Sequence, residues 1–179
     1  MAQDPAELFD VVDAEDRVVG RAARADVHAR GLRHRAVHAF VVDGRGRVYL
    51  HRRSRTKDTF PLRWTSSCAG HVGAGDDYDA AMVRELGEEL GLRPAEPPER
   101  LFKVDACAAT GAEFVWVYRV RADGPVSPNP AEIEGGGWFE PAAVDAWVAG
   151  RPAEFADSFV LLWPRVRPLL APLRSDGAP

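Results

Sequence analysis

The chain has 179 residues, of which 46% are hydrophobic, and carries a formal net charge of −4. This length fits one domain with enough apolar residues to form a core without a disulfide or structural metal. The negative charge argues against a nucleic-acid-binding protein that depends on overall positive charge. No apolar run reaches the roughly 18 residues of a membrane span, and the first residues do not resemble a signal peptide. With two cysteines in no metal or redox spacing, we expect a cytoplasmic protein.

The first third of the chain is predicted to be rich in short strands. Apolar residues alternate with polar ones around an Asp43-Gly44-Arg45-Gly46 turn, which predicts a hairpin. The segment that follows contains Pro61 and has no periodicity, so it is predicted to be a loop. We predict strands at residues 8–12, 17–20, 35–43, 47–53 and 64–70, and a loop at 54–63.

A helix is predicted from Asp77 to Leu90, because apolar residues recur there at helical spacing. The Asp77 side chain can accept hydrogen bonds from the free amides of the first turn. Gly91 stands where a left-handed residue commonly ends a helix.

The remaining chain alternates between strands, loops and helices. Strands are predicted at 100–108, 113–121 and 137–139, a Pro/Gly loop at 122–136, and helices at 141–149 and 153–163. Pro164, Pro168 and Pro172 argue against a regular helix beyond that point. Because strands precede and follow a central helix, we predict a mixed α/β or α+β class. We expect one domain over residues 1–179, with N-terminal strands and a lead-in at about 1–33 and a C-terminal helix and tail at about 153–179.

Three carboxylates crowd one side of the predicted central helix. Glu85, Glu88 and Glu89 fall within an arc of about 100°, where like charges repel. A hard cation such as Mg²⁺ would remove that repulsion. The alternative interpretation is a solvated acidic face. Gly87 in mid-helix and the glycine-rich segment 70–75 favour a close approach of backbone to a ligand.

A basic segment precedes this acidic helix. Residues 44–57 carry six bases and no acid, whereas acids gather at 76–89. Within one domain, these two segments could hold an anion and a divalent cation together. Two solvated faces are the alternative.

The central segment resembles the Nudix box, G-x5-E-x7-R-E-U-x-E-E-x-G-U, where U is aliphatic. The match runs Gly70-x5-Asp76-x7-Arg84-Glu85-Leu86-x-Glu88-Glu89-x-Gly91-Leu92. The resemblance implies an α/β/α sandwich with a mixed sheet and a catalytic loop–helix–loop. It also implies that Arg84 orients the glutamates, and that Mg²⁺, or Mn²⁺, is bound by Glu85, Glu88, Glu89 and the Gly70 carbonyl. Asp76 replaces the family's glutamate and is one methylene shorter, which puts its contact with Arg84 in question.

Further motifs are similar to the isopentenyl-diphosphate isomerase branch of the same superfamily. They are His34-Arg35-Ala36, Arg52-Arg53-Ser54-x2-Lys57, Phe60-Pro61-x2-Trp64-Thr65 and Gly70-His71. The resemblance implies that Arg53 and Lys57 bind a diphosphate. It also matches His28, His34, His71 and Glu113 to the isomerase's metal ligands, although structural histidines are the alternative.

The proton-transfer groups of that isomerase are missing. Ala69 stands where its cysteine precedes the Gly-His pair, Gly111 replaces a glutamate, and Val104 aligns with its tyrosine. Cys68 is adjacent to Ala69, but neighbouring strand residues point to opposite faces. The resemblance therefore favours a hydrolase over an isomerase.

The preferred function is a Mg²⁺-dependent hydrolase of a small-molecule diphosphate, namely a nucleoside diphosphate linked to another moiety. The catalytic residues would be Arg84, Glu85, Glu88, Glu89 and Glu113. The general base is left open between Glu88, Glu89 and Glu113. The alternatives are an isomerase-like enzyme and a non-catalytic nucleotide-binding module. The sequence does not identify the leaving group. It also leaves open a homodimer and a second metal ion at the histidines.

Overall fold

The computed structural model of the protein describes residues 4–170. Short segments rich in β-branched and aromatic residues form strands, and longer segments with helical periodicity form helices. The strands are β1 Leu8–Val12, β2 Val18–Ala23, β3 His34–Val42, β4 Val48–Arg53, β5 Trp64–Thr65, β6 Cys68–His71, β7 Glu99–Val104, β8 Glu113–Arg121 and β9 Ile133–Phe139. The helices are α1 Arg24–Arg30, α2 Tyr78–Leu90, α3 Pro141–Gly150 and α4 Asp157–Val166.

Seven strands form one mixed sheet, and β1 and β2 form a separate antiparallel pair. The main path of the sheet is β5-β4-β3-β8-β7, with β6 also pairing with β3 and β9 with β4. Strands β3 and β8 run parallel, whereas the other pairs are antiparallel. No helix within residues 4–170 has the length and apolarity that crossing a membrane requires.

Strands β3 and β4 form the predicted hairpin only at its turn. They are paired in register at Val42 and Val48 alone. Strand β8 occupies one edge of β3, so β4 and β6 must share the other edge. The strands therefore diverge beyond the turn, and β6 replaces β4 beside β3. This divergence leaves room for a pocket in which side chains of β3, β4 and β6 meet.

The sheet has a hydrophobic core on each face, because its strand residues alternate between the two sides. On one face, Phe40 and Leu50 pack with Phe159 of α4. On the other, Tyr118 packs with Met82 and other apolar residues of α2. Helices therefore cover both faces, which gives the predicted α/β/α sandwich of the α+β class.

Helix α2 has the predicted ends. The Asp77 side chain accepts a hydrogen bond from the amide of Ala80 at 2.8 Å, and Gly91 ends the helix with a left-handed φ of 62°. Its apolar stripe is buried against β3 and β6. The local pattern and the tertiary packing therefore favour the same helix.

Several predicted elements differ from the structure. Helix α1 was not predicted, and β7 ends at Val104 rather than at residue 108. Strand β9 begins at Ile133, inside the predicted loop, because its backbone pairs with β4 despite the three glycines at 135–137. Helix α4 contains Pro164 and continues to Val166. Pro172 lies outside the described residues.

Candidate active site

The site is built where α2 crosses β6. The missing side chain of Gly70 makes room for Glu85, since a Cβ there would lie 2.0 Å from the Glu85 carboxyl carbon. One turn further along α2, an oxygen of Glu89 accepts the amide N–H of Ala69 at 3.1 Å. The strand–loop–helix segment thus brings two carboxylates to the backbone of β6.

Burial of these carboxylates changes their electrostatics. Burial, followed by the neighbouring Glu89, raises the pKa of Glu85 to about 8. Burial also raises the pKa of Glu89, although the positive charge of Lys57 opposes this rise. Glu88 is exposed. Two buried, mutually repelling carboxylates beside a third are a donor set that fits a hard divalent cation, because the cation stabilises their charged forms.

Arg84 holds two of the three glutamates. Its Nη1 lies 2.8 Å from an oxygen of Glu85 and 3.2 Å from one of Glu88. Its Nη2 donates to the carbonyl of His71 at 2.9 Å. Asp76 is exposed, and the ion pairs of Arg84 within residues 4–170 do not include it. The shorter Asp76 therefore does not form an ion pair with Arg84 in the described residues.

A pocket of about 900 Å³ lies beside these carboxylates. Acidic and basic side chains share its wall, and the pocket extends to the end of β8. The residues predicted from the sequence that line it are His28, Arg53, Lys57, Gly70, His71, Arg84, Glu85, Glu88, Glu89 and Glu113.

The two adjacent arginines at the end of β4 have different surroundings. Arg53 lines the pocket, and its guanidinium donates to the carbonyl of Thr59 at 3.0 Å. Burial lowers the pKa of Arg53. The negative charges of nearby carboxylates, of which Glu89 has the largest effect, oppose this decrease. Arg52 is exposed and donates to the carbonyl of Leu62. Arg53 is therefore the one placed to meet an anion in the pocket.

Lys57 forms a salt bridge with Glu132, and both side chains are 9% exposed. Glu132 also lines the pocket, but no motif in the sequence points to it. It lies in a Pro/Gly-rich segment without periodicity, so no pattern there distinguishes one acid from another. Lys57, which the resemblance assigns to the diphosphate, therefore reaches the pocket already paired with Glu132.

His71 and Glu113 meet at the end of the pocket near β8. The Nε2 of His71 lies 3.1 Å from an oxygen of Glu113, and Arg24 contacts the other ring nitrogen at 3.1 Å. His34 hydrogen-bonds through Nδ1 to the carbonyl of Leu32 at 2.9 Å, which places the proton on Nδ1. Its buried Nε2 has no hydrogen-bond partner.

His28 of α1 completes this group, which we call the histidine cluster: His28, His34 and His71. One ring nitrogen of each lies within 4.8 Å of those of the other two. An unpartnered nitrogen beside two other imidazoles and the Glu113 carboxylate is a donor set that fits a divalent metal ion. The position of His28 depends on α1, a seven-residue helix without a strong apolar period.

The charges in this cluster follow from its contacts. Burial alone would raise the pKa of Glu113, but the adjacent imidazoles of His34 and His71, of which His71 is hydrogen-bonded to it, hold this pKa well below its usual range. Burial lowers the pKa of His71 to about 4, against the opposing effect of Glu113. The arrangement is therefore a charged carboxylate with a neutral imidazole at neutral pH.

The two residues before Gly70 face opposite sides of β6. Ala69 lines the pocket, whereas Cys68 is buried in the core beneath α2. Burial, then the charges of Glu89 and Glu85, raises the pKa of the Cys68 thiol. The pocket side of this strand position therefore presents a methyl group instead of a thiol.

Comparisons with known proteins identify the family. The NUDIX domain family matches residues 32–159, and the chain belongs to the Nudix family. An uncharacterized Nudix hydrolase of Streptomyces coelicolor is 45% identical over 142 residues, covering 78% of this chain and 77% of that protein. An isopentenyl-diphosphate Delta-isomerase of Nocardia farcinica is 36% identical over 156 residues, covering 84% and 87%. The crystal structure of DR0079 from Deinococcus radiodurans aligns with a TM-score of 0.78 at 33% identity, covering 89% and 98%.

Proposed function

We propose that this Nudix protein is a Mg²⁺- or Mn²⁺-dependent hydrolase that cleaves the diphosphate linkage of a nucleoside diphosphate joined to another moiety. The observation that carries the proposal is the packing of Glu85 across Gly70, with Glu89 on the amide of Ala69 and Arg84 between Glu85 and Glu88. This arrangement supports cation binding at the backbone of β6.

In this proposal, Glu85, Glu88, Glu89 and the Gly70 carbonyl would hold the cation. The cation would supply Lewis-acid stabilisation of the charge that develops on the phosphoryl oxygens. Arg53 would bind the diphosphate as a two-pronged donor, and Lys57 would join it by exchanging its contact with Glu132. Arg84 would keep the glutamates oriented.

We propose that an α2 glutamate, rather than Glu113, is the general base that accepts the proton of the attacking water. The contacts of Glu113 with the histidine cluster hold its pKa low, which makes it a weak base. Glu88 lines the pocket and is exposed, so its carboxylate can meet a water molecule there, whereas Glu89 is only 3% exposed. The sequence left these acids as alternatives, and the surroundings of each carboxylate favour α2.

A substrate screen tests the proposal. Nucleoside diphosphate sugars, dinucleoside polyphosphates and nucleoside diphosphates are incubated with Mg²⁺ or Mn²⁺, and phosphate-containing products are measured. We expect cation-dependent release of a nucleoside monophosphate from at least one substrate, and its loss in Glu89→Gln. A protein that cleaves none of them with either cation would contradict the proposal.

The histidine cluster favours a second candidate, an isomerase-like reaction on an allylic or homoallylic diphosphate. Its three imidazoles and Glu113 match the metal ligands that the isomerase resemblance implies. Ala69 opposes this candidate, since the pocket lacks a thiol at the position that the resemblance assigns to the proton donor. Isopentenyl diphosphate incubated in deuterated water distinguishes the two: deuterium entering the substrate would establish isomerase chemistry, and its absence is our expectation.

We also propose that the histidine cluster binds its own divalent ion. Its four donors come from α1, β3, β6 and β8, and the unpartnered Nε2 of His34 lies 3.5 Å from a Glu113 oxygen. Metal analysis of the purified protein tests this. His34→Asn should remove one equivalent of tightly bound metal, while Glu89→Gln leaves that equivalent in place. Equal metal content in wild type and His34→Asn would contradict it.

A further inference from the structure

The floor of the pocket contains a histidine that the proposed hydrolysis does not use. His38 lies in β3 directly opposite Ala69 of β6, and paired residues of neighbouring strands share one face of a sheet. Both line the pocket, yet His38 is only 5% exposed. The small methyl group of Ala69 gives the imidazole its place in the wall.

Hydrogen bonds fix the orientation of this ring. Ser66 donates its hydroxyl proton to the carbonyl of Cys68 at 3.2 Å, so its oxygen can accept from Nδ1 of His38 at 2.9 Å. The proton of the neutral ring is therefore on Nδ1, and Nε2 presents a lone pair. Burial lowers the pKa of His38 to about 4, which keeps the ring neutral near pH 7.

Nε2 has no partner in the part of the chain that the structure describes. Within residues 4–170, the His38 ring forms a hydrogen bond through Nδ1 only. Its Nε2 is unpaired but is not fully enclosed by protein atoms. Because the ring belongs to the pocket wall, this lone pair is accessible from the pocket. A largely buried hydrogen-bond acceptor favours ligands that carry a hydrogen-bond donor.

The surroundings of His38 combine small apolar and hydroxyl groups. Methyl groups of Ala36, Ala69 and Ala156 line the same pocket as the hydroxyl-bearing residues Thr65 and Ser158. The Arg53 guanidinium is near enough to lower the pKa of His38. A diphosphate bound by Arg53 would therefore place its linked group close to this floor.

We propose that Nε2 of His38 accepts a hydrogen bond from a hydroxyl group of the substrate, so that the pocket selects diphosphates linked to a hydroxyl-bearing group over those linked to a hydrocarbon. This specificity rests on the proposed hydrolase function and adds the substrate class to it. A hydrocarbon chain at the same position would leave the buried lone pair without a donor, whereas a sugar hydroxyl satisfies it. Ser66 acts as a positioning residue, because it holds the tautomer that exposes the acceptor.

Imidazole ¹⁵N NMR tests the proposal without requiring turnover. Histidine-labelled protein with Mg²⁺ is titrated with methylene-bridged ADP-ribose, which cannot be hydrolysed at the bridge, and separately with isopentenyl diphosphate. We expect a His38 spectrum with the proton on Nδ1, and a shift of Nε2 towards that of a hydrogen-bonded acceptor with the first ligand only. The proposal would be overturned by a proton on Nε2 in the free protein. It would also be overturned if the ADP-ribose analogue at millimolar concentration did not bind or did not shift Nε2.

Variants provide the second readout. His38→Phe keeps a ring but removes the acceptor, so affinity for the ADP-ribose analogue should fall about tenfold while that for isopentenyl diphosphate changes little. His38→Gln, which keeps an acceptor, should recover part of the loss and serves if the phenylalanine variant does not fold. His51→Phe is the matched control, because His51 of β4 is also a buried histidine but lies outside the pocket wall.

Equal affinities in wild type and both His38 variants would contradict the proposal. Ser66→Ala should shift the His38 tautomer mixture towards Nε2–H and weaken binding of the same analogue, and an unchanged spectrum would contradict the positioning role. The hydrolase assignment is judged separately by the substrate screen. If the protein hydrolyses none of the substrates but still shows the selective Nε2 shift, the proposed specificity stands and the proposed hydrolysis is wrong.

Discussion

Individual glutamates on α2 have unequal surroundings, although helical spacing makes them look equivalent in the sequence. Glu89 is buried on the amide of Ala69, Glu85 fills the space above Gly70, and Glu88 reaches solvent with Arg84 beside it. Periodicity predicted that all three share one side of the helix. It could not predict how deeply each is buried, because burial depends on β6, which packs against the helix from outside the motif.

Glu89→Gln tests the most buried of these carboxylates. The amide keeps the shape and can still accept the Ala69 N–H, but it removes the negative charge that would hold the cation. We expect turnover to fall at least about 100-fold, as the loss of several kcal/mol of electrostatic stabilisation implies, with the fold intact. Glu88→Gln should also reduce turnover steeply. Steady-state kinetics with circular dichroism as the fold control measures both, and full activity in the two variants would refute the assigned cation site.

Arg53→Ala and Arg52→Ala form a matched pair of neighbouring substitutions. Arg53 lines the pocket, so its loss removes charge and two-pronged geometry together, and KM should rise by about one to two orders of magnitude. Arg52 is exposed and bonds only a carbonyl among the described residues, so its substitution should leave KM nearly unchanged. Both are measured on the substrate that the screen identifies. A larger effect at Arg52 would reverse the assignment.

At the scale of elements, the sequence predicted α2 closely but did not predict α1 or the full length of β9. Helix α2 combines an apolar stripe, an N-cap and a C-terminal glycine, so local preferences and packing agree. Helix α1 has seven residues and only two buried ones, Arg24 and Val27. Strand β9 contains three glycines and depends on backbone pairing with β4. Its Gly136 is required because the Tyr49 hydroxyl would lie 2.2 Å from a Cβ there.

Gly70→Ala tests the close contact between β6 and α2. The added Cβ would displace the Glu85 side chain, so cation affinity should fall at least about tenfold and the free energy of unfolding by about 1–3 kcal/mol. Titration calorimetry with Mg²⁺ or Mn²⁺ and urea denaturation measure the two effects. Unaltered cation affinity would show that the space above Gly70 is unnecessary for the site.

Gly87→Ala is an opposite case on the same helix. The sequence suggested that something approaches Gly87 closely, but a Cβ there would have no heavy atom within 4 Å outside the local helix backbone. No described part of the protein makes that approach, so a close approach by a ligand stays a prediction. Alanine should therefore raise the free energy of unfolding by about 0.8–1 kcal/mol through helix propensity alone. Urea denaturation measures this change, and a destabilised variant would indicate a contact that the structure lacks.

At the scale of the whole molecule, a mixed sheet between two helical layers was predicted from the resemblance and is present. The pocket draws residues from segments far apart in sequence, including α1, the loop after β4, and the segment before β9. Motif spacing therefore identified the α2 glutamates and Arg53. It could not identify Glu132 or Arg24, whose roles follow from the ion pair with Lys57 and the contact with His71.

Stability should depend on pH through the buried glutamates. Glu85 has a pKa of about 8 in the folded protein against an ordinary value of 4.5, so the folded state binds more protons between these values. Stability of the metal-free protein should therefore fall as pH rises from 6 to 9. Thermal unfolding in EDTA measures this, Mg²⁺ should restore more stability at pH 9 than at pH 6, and Glu85→Gln should flatten the curve. A Tm of the metal-free wild type that stays constant or rises across this range would contradict the prediction.

The composition of the pocket wall has a kinetic consequence. Seven carboxylic acids and four arginine or lysine side chains line it, so the acids outnumber these cations even with Glu85 protonated, and an incoming diphosphate meets a negatively charged surface despite Arg53. A divalent cation reverses that repulsion. Productive encounter should therefore be ordered, with the cation arriving before the diphosphate or in complex with it. The association rate constant for the substrate would then rise with cation concentration, whereas its dissociation would depend mainly on the contacts made once it is bound.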